Sequence, residues 1–201
     1  MFNYKFNIMK KTRIFLLLLL AIVTTAIQSQ NISGNCYRGF ADAGYTIGVG
    51  DYNLGRFEIN SSHGYQINPH FFIGAGLGFH FMSEYETNNK DIALDIRESS
   101  VEIPIFANIK CNFTKSKVTP FIDIKAGTYI TNNSGLYANI SGGCRISTNE
   151  KQAVNVSIGY TMQNLEFETF NRFYGSNSMS YSRKPRNLDT EGISIKIGYE
   201  F

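Results

Sequence analysis

The sequence predicts an all-β protein: an eight-stranded, antiparallel, up-and-down transmembrane β-barrel preceded by a signal peptide. Three observations predict it. Apolar and polar residues alternate with a period of two in eight stretches, which is typical of strands with one apolar and one polar face. Helical periodicity is absent after the leader. The last strand ends on an aromatic residue, Phe201, as expected where a final strand closes a barrel against lipid.

Residues 1–30 have the composition of a secretory signal peptide. Lys10, Lys11 and Arg13 precede the apolar run Ile14–Val23, and small and polar residues follow it. This run is too short to span a bilayer as a helix, which needs about twenty residues. We expect translation to start at Met9 and residues 31–201 to form the barrel domain.

The first four predicted strands follow the leader. Tyr37–Gly48 is the least regular, and Phe71–Met82 is the clearest because its apolar residues alternate with glycines and a histidine. The second strand is Arg56–Ile67, and the fourth runs over about 101–110. The apolar faces of strands two to four consist of Phe57, Ile59, Tyr65 and Ile67; Phe71, Ile73, Ala75, Leu77, Phe79 and Phe81; and Val101, Ile103, Ile105, Ala107 and Ile109.

The last four predicted strands show the same pattern over about 122–130, 136–146, 154–163 and 192–201. Their apolar faces consist of Ile122, Ile124, Ala126 and Ile130; Leu136, Ala138, Ile140 and Ile146; Val154, Val156, Ile158, Tyr160 and Met162; and Ile193, Ile195, Ile197, Tyr199 and Phe201. Twelve residues of tilted strand span about 30 Å, which is enough for the apolar band of a membrane barrel.

The connections predict the orientation of the barrel. Outer-membrane barrels have short turns inside and long loops outside, and an even number of strands places both termini on the periplasmic side. The predicted short turns are 68–70, 114–119 and 148–152, and the predicted outer loops are 49–55, 84–100, 131–135 and 165–191. The loop 131–135 is short for an outer loop and is the one misfit.

Charge and cysteine content exclude some classes of protein. Four of the 19 basic residues lie in the leader and none of the 16 acidic residues does, so the mature chain is near neutral and nucleic-acid binding is not expected. Cys111 and Cys144 are expected two strands apart, roughly 10 Å, which is too far for a disulfide. We therefore predict no structural disulfide, and no lipid anchor on Cys36.

Four segments together resemble the small outer-membrane β-barrel family of Gram-negative bacteria, which includes porin-family eight-stranded barrels and relatives of a secretion-associated barrel. These segments are 72–81, 102–110, 120–127 and 197–201. The resemblance implies location in the outer membrane, contact with its lipid, and a terminal aromatic, Phe201, that the barrel-insertion machinery reads. It carries no catalytic residues.

The polar strand faces predict the lining of the barrel. Eight strands leave an interior just wide enough for side chains, so charges there must pair. We predict a lumen plugged by this charge network; a narrow gated channel along the same residues is the alternative. The predicted network consists of Arg38, Asp42, Glu58, Glu102, Lys110, Asp123, Lys125, Arg145, Lys196 and Glu200.

Two other patterns favour structural roles. Gly74, Gly76 and Gly78 recur with a period of two on a strand, so they are expected to make room for Phe106 rather than to bind phosphate. The histidines lack metal-ligand spacing. His80 is expected to fill the interior; with Ser83 and a nearby acid it is the candidate base of a lipid hydrolase, the less favoured interpretation.

The predicted loop 165–191 is the candidate surface site. It mixes aromatic and basic residues, which is typical of binding hot spots, and basic side chains also pair with lipopolysaccharide phosphates. A solvated loop, or strands extended beyond the membrane, is the alternative interpretation. The candidate residues are Arg172, Tyr174, Tyr181, Arg183, Lys184 and Arg186.

The sequence thus predicts a non-enzymatic outer-membrane barrel with a structural or surface-interaction role. We expect no cofactor, no metal and no catalytic residue. The expected partners are lipid, lipopolysaccharide, the insertion machinery, and an extracellular ligand or secretion partner. The alternatives are a narrow channel or accessory subunit of a secretion machine, a barrel enzyme that modifies lipid A, and a soluble lipocalin-like barrel with its apolar residues inside.

Overall fold

The alternation seen in the sequence produces β-strands throughout. The computed structural model describes residues 36–89, 93–131, 135–149, 152–174 and 179–201, and within these ranges every regular element is a strand. The predicted signal peptide lies outside the described residues. The strands are β1 (Cys36–Val49), β2 (Arg56–Gln66), β3 (Phe71–Met82), β4 (Tyr85–Asn89), β5 (Ala93–Arg97), β6 (Ser100–Glu102), β7 (Pro104–Asn112), β8 (Val118–Tyr129), β9 (Leu136–Ser147), β10 (Ala153–Tyr174) and β11 (Met179–Glu200).

The sheet closes into an eight-stranded antiparallel barrel, which confirms the predicted fold class. Neighbours in the sequence pair around the wall, and β11 pairs with both β10 and β1. Strands β6 and β7 together form one wall strand, because both pair with β3. Phe201 completes the closure: its backbone N–H donates to Gly39 O at 2.9 Å and its carbonyl accepts from Gly39 N at 2.8 Å.

The two ends of the barrel differ, as the connection lengths predict. The terminal end carries Cys36, Phe201 and the three short turns. The hairpin end, opposite, carries the four other connections, including the short one between β8 and β9. Gly50 turns the chain between β1 and β2 with a φ of 80°, a left-handed conformation that glycine adopts without a side-chain clash.

At the hairpin end the structure decides between two interpretations and corrects one predicted loop. In segment 165–191 the extended-strand alternative is the observed one: β10 and β11 are 22 residues each and stay paired as far as Tyr174 and Met179. Segment 84–100 contains the β4–β5 hairpin, and β5 pairs with β10. Beyond the closed barrel, β11, β10, β5 and β4 therefore form a small open sheet.

The outer wall is apolar and the interior is polar. Ile195 and Ile197 of β11 are 55% and 60% exposed, whereas Lys196 between them is 4% exposed. The lipocalin-like alternative predicts the reverse distribution and is therefore wrong. No helix in the described residues is long and apolar enough to cross a membrane.

Candidate functional site: the barrel interior and its two ends

All ten side chains of the predicted charge network contribute to ion pairs of the interior. Alternation places them there, because every second residue of a wall strand points inward. They form separate layers along the barrel axis. Each layer contains at least one carboxylate that is paired with a cation from another strand.

The layer nearest the terminal end is centred on Glu200. Arg145 binds this carboxylate through two nitrogens, Nε at 2.8 Å and Nη2 at 2.9 Å, and Arg38 Nη1 lies 2.8 Å from it. Lys110 Nζ is 3.7 Å away. Lys110 also donates to Asn155 Oδ1 at 2.9 Å. Three cations from three strands therefore surround the buried carboxylate of Glu200.

The middle layer pairs Lys125 with two aspartates. Lys125 Nζ lies 2.5 Å from Asp42 Oδ2 and 3.7 Å from Asp123 Oδ2. Asn60 donates to Asp42 at 3.0 Å, and Asn108 donates to Asp123. The two amides satisfy carboxylate oxygens that would otherwise be buried without a donor.

The third layer is centred on Glu58, which is fully buried. Arg56 Nε and Lys196 Nζ each lie 2.6 Å from its carboxylate, and Thr46 Oγ1 donates to it at 2.6 Å. Arg56 was not among the predicted residues. The signal was available, because Arg56 precedes Glu58 by two residues and so shares its strand face.

Glu102 is held by a residue from outside the wall. Arg97, at the end of β5, lies 2.5 Å from Glu102 and also donates to the carbonyl of Glu166. Thr131 Oγ1 donates to the other carboxylate oxygen at 2.6 Å. The sequence did not point to Arg97, because this residue falls in segment 84–100, which is predicted to be an outer loop.

His80 fills the interior, as expected. Its ring nitrogens lie 3.0 Å from Tyr129 Oη and 3.1 Å from Asn60 Oδ1. Ser83 is exposed beyond the end of β3, so the structure does not bring together the histidine and serine of the hydrolase hypothesis. His63 lies on the outer wall, and His70 in a turn at the terminal end.

Of the three glycines on β3, Gly76 makes room for Phe106 as expected. A Cβ added to Gly76 would lie 2.6 Å from the ring of Phe106, its cross-strand partner, whereas Gly74 lies against Phe72 and Gly78 against Asn60. Cys111 and Cys144 lie on β7 and β9 with β8 between them, as predicted. Among the described residues, no group of three or more His, Cys, Asp or Glu side chains could hold a metal ion.

An apolar seal closes the hairpin end of the lumen. It is one cluster of buried side chains, with Tyr52 and Tyr85 packed against it. Sequence reasoning missed it, because its members come from wall strands, from the β1–β2 connection and from the extended hairpin. They are Leu54, Met82, Phe106, Tyr129, Tyr137, Leu165, Phe167 and Leu188.

The β4–β5 hairpin is fastened over this seal. Asp95 accepts hydrogen bonds from Thr169 Oγ1 at 2.6 Å and from Tyr52 Oη at 3.3 Å. Burial and the neighbouring Asp95 carboxylate raise the pKa of Tyr52, so its hydroxyl remains a donor at neutral pH. Arg97 lies 5.7 Å above the ring of Phe167. Polar and apolar contacts therefore both hold the hairpin against β10.

The lumen is narrow in its middle. The cavity around Asp42, Lys125 and Asn155 holds about 30 Å³, room for about two water molecules. At the terminal end it widens into a vestibule of about 850 Å³, which is lined by Arg38, Arg145, Glu200 and the three short turns.

The candidate surface residues lie on the extended hairpin. Arg172 and Tyr174 belong to β10, and Tyr181 and Arg183 belong to β11; their side chains lie outside the described residues. Lys184 and Arg186 of β11 are described and exposed. The hairpin thus displays at least these two cations beyond the barrel wall.

Comparisons with known proteins identify no family for this chain. No protein-family model matches the chain, and no curated protein matches it. A de novo designed transmembrane β-barrel is 12% identical, with 86% of this chain and 100% of that chain covered at a TM-score of 0.41. Outer Membrane Protein W of E. coli is 16% identical, with 85% of this chain and 100% of that chain covered at a TM-score of 0.39. An outer membrane channel of Pseudomonas putida F1 is 9% identical, with 86% of this chain and 97% of that chain covered at a TM-score of 0.31.

Proposed function

We propose that this chain is an outer-membrane β-barrel of a Gram-negative bacterium, with a plugged lumen and a structural or surface-interaction role. The observation that carries the proposal is the distribution of side chains. Isoleucines are exposed on the outer wall, whereas twelve charged side chains are paired inside, eight of them buried. In water this arrangement would expose the apolar surface; in a bilayer it buries that surface in lipid.

Two aromatic girdles support a membrane-spanning wall. Near the terminal end Tyr37 and Tyr65 are exposed, and near the hairpin end Tyr45 and Phe57 are exposed on the same two strands. Eight residues of strand separate the girdles, which is about 27 Å along the strand and about 20 Å along the axis at a tilt of about 40°. This matches the apolar band of about 25 Å in outer-membrane barrels.

The plug is supported by two barriers in series. The layers of ion pairs fill the middle of the lumen, and the apolar seal closes the hairpin end. An open channel would need both to move. The energetic reason for stable layers is that a buried carboxylate deprived of its cation costs several kcal/mol.

The hairpin end is proposed as the outer, working surface. Short turns and both termini of such barrels face the periplasm, which places the extended β10–β11 hairpin outside the cell. Lys184 and Arg186 are exposed there, in position to pair with lipopolysaccharide phosphates or an extracellular ligand. Membership of the porin-family barrels, which the sequence resembles, belongs to the same proposal.

Cell fractionation combined with an unboiled gel tests this placement. We expect the protein in the outer-membrane fraction, with a band that migrates faster before boiling than after it, because a closed barrel resists detergent unfolding. Protease added to intact cells should cut the hairpin end and leave the short turns protected. A periplasmic protein without a heat-dependent shift would refute the proposal.

A further inference from the structure

The vestibule has the dimensions of a ligand site. Its volume of about 850 Å³ lies within the range of about 300–1,000 Å³ that is usual for small-molecule sites. The turns around Asn68, Lys115 and Asn149 form its rim, and Arg38, Arg145 and Glu200 form its floor. It is closed toward the hairpin end by the narrow middle of the lumen, so a ligand could enter only from the terminal end.

The interior's surplus of positive charge is concentrated at this vestibule. In the other layers cations and carboxylates balance, with Lys125, Arg56, Lys196 and Arg97 against Asp42, Asp123, Glu58 and Glu102. In the vestibule Glu200 faces Arg38 and Arg145, and Lys110 contacts the same carboxylate from the narrow middle of the lumen. Lys115 and Lys117 add two cations at the rim. A cleft of one sign of charge with low-dielectric walls concentrates ligands of opposite charge.

A second feature points to the kind of anion. Asn112 is 6% exposed and lines the vestibule, and its Oδ1 has no hydrogen-bond partner among the described residues. A buried acceptor requires a donor. Sulfate and similar ions supply negative charge but no donor. A peptide with acidic groups supplies carboxylates for the cations and backbone N–H groups for Asn112.

We propose that the vestibule binds an acidic peptide segment, with its carboxylates toward Arg38 and Arg145 and an N–H group toward Asn112. Entry from the periplasm rests on the orientation given under Proposed function. The binding itself does not, because the vestibule is a feature of the folded barrel in micelles as well.

Titration calorimetry of the purified full-length barrel in micelles tests this site with three probes: tetraglutamate, tetraglutamine and sulfate. Tetraglutamate should bind at least about tenfold more tightly than tetraglutamine or sulfate. Added salt should weaken the binding of tetraglutamate, because salt screens the attraction between its carboxylates and the cations of the vestibule. Equal affinity for tetraglutamate and tetraglutamine would overturn the site. Equal affinity for tetraglutamate and sulfate would overturn the peptide assignment.

Charge removal locates the binding. The double variant Lys115→Gln, Lys117→Gln removes two positive charges from the rim and should weaken tetraglutamate several-fold. The matched control Asn53→Asp, Asn187→Asp lowers the net charge by the same amount at exposed positions of the hairpin end and should leave affinity within about twofold. Equal losses in both variants would show a response to net charge alone and overturn the proposal. An unboiled gel confirms that each variant is a folded barrel.

The variant Asn112→Ala separates the donor requirement from charge. It should weaken tetraglutamate several-fold and leave sulfate unchanged, because only the peptide carries N–H groups. An unchanged affinity for tetraglutamate would remove Asn112 from the site and with it the reason for preferring a peptide.

Discussion

At the residue scale, the charge network depends on complete pairing rather than on charge alone. Glu58 is the sharpest case, because Arg56, Lys196 and Thr46 all converge on one fully buried carboxylate. Its removal would leave two buried cations facing each other. Buried ion pairs are worth little compared with an apolar core, but a broken one is costly.

Replacing Glu58 with Gln should therefore destabilise the barrel by about 3–5 kcal/mol. The measurement is urea unfolding in lipid vesicles, followed by gel mobility because the chain has no tryptophan. The control Glu84→Gln changes an exposed carboxylate and should shift the free energy of unfolding by less than about 0.5 kcal/mol. Similar stabilities for the two variants would contradict the network's role.

A second residue tests which solvent the outer wall meets. Ile197, 60% exposed, lies midway along the apolar belt on β11. Ile197→Lys should cost about 2–4 kcal/mol in vesicles, because the charge enters hydrocarbon. Leu136→Lys, at the hairpin-end start of β9, should cost no more than about 1 kcal/mol. If Ile197→Lys were neutral or stabilising, the outer wall would face water.

Alternation in the sequence identifies the closed wall, where one strand face is apolar and exposed and the other is polar; the ten predicted charged residues all take part in interior ion pairs. Alternation is not sufficient at the hairpin end. On β10 it continues there with reversed polarity, because Leu165 and Phe167 are buried. The partners of Glu102 and Asp95 come from β5 and β10. Long-range folding of this kind leaves no local signal.

At the scale of elements, barrel closure involves Phe201, the residue that directly follows β11. The Phe201 backbone pairs with Gly39, and its ring covers that glycine so closely that a Cβ there would lie 2.2 Å from it. Phe201 thus contributes to the β11–β1 seam as well as serving as the predicted assembly signal.

Deleting Phe201 should reduce the amount of folded barrel in the outer membrane several-fold. The control is Phe71→Ala, which removes another exposed aromatic near the terminal end and should leave assembly close to normal. Quantitative unboiled gels of outer-membrane fractions make the comparison. Equal yields of the two variants would show that Phe201 has no special role in assembly.

The extended hairpin is expected to be a separable element. Replacing residues 169–184 with the two-residue turn Asn-Gly, combined with Arg186→Gln, removes the outer part of β10 and β11 and both exposed cations but keeps the ladder from Ala153 to Glu168. The shortened protein should still show a heat-dependent band shift, because the closed wall is intact. Any binding to cells or lipopolysaccharide should be lost. A shortened chain that binds as before would place the surface site elsewhere.

At the scale of the whole molecule, the barrel is closed at one end and open at the other. The hairpin end is closed by the apolar seal, the middle by layers of ion pairs, and the terminal end opens into a cationic vestibule. This shape supports the proposed structural or binding role over transport, because the described residues leave only a narrow space in the middle of the lumen. The proposed function therefore rests on the claim that the lumen is sealed.

Planar-bilayer recording of the purified protein tests that claim most directly. Wild-type protein inserted into the bilayer should give no reproducible conductance steps, and insertion is verified by protease protection of the same preparation. Lys125→Glu, which changes the charge of the middle layer, supplies the diagnostic comparison. Steady steps of constant size that change in Lys125→Glu would show ions passing through the lumen and would contradict the account.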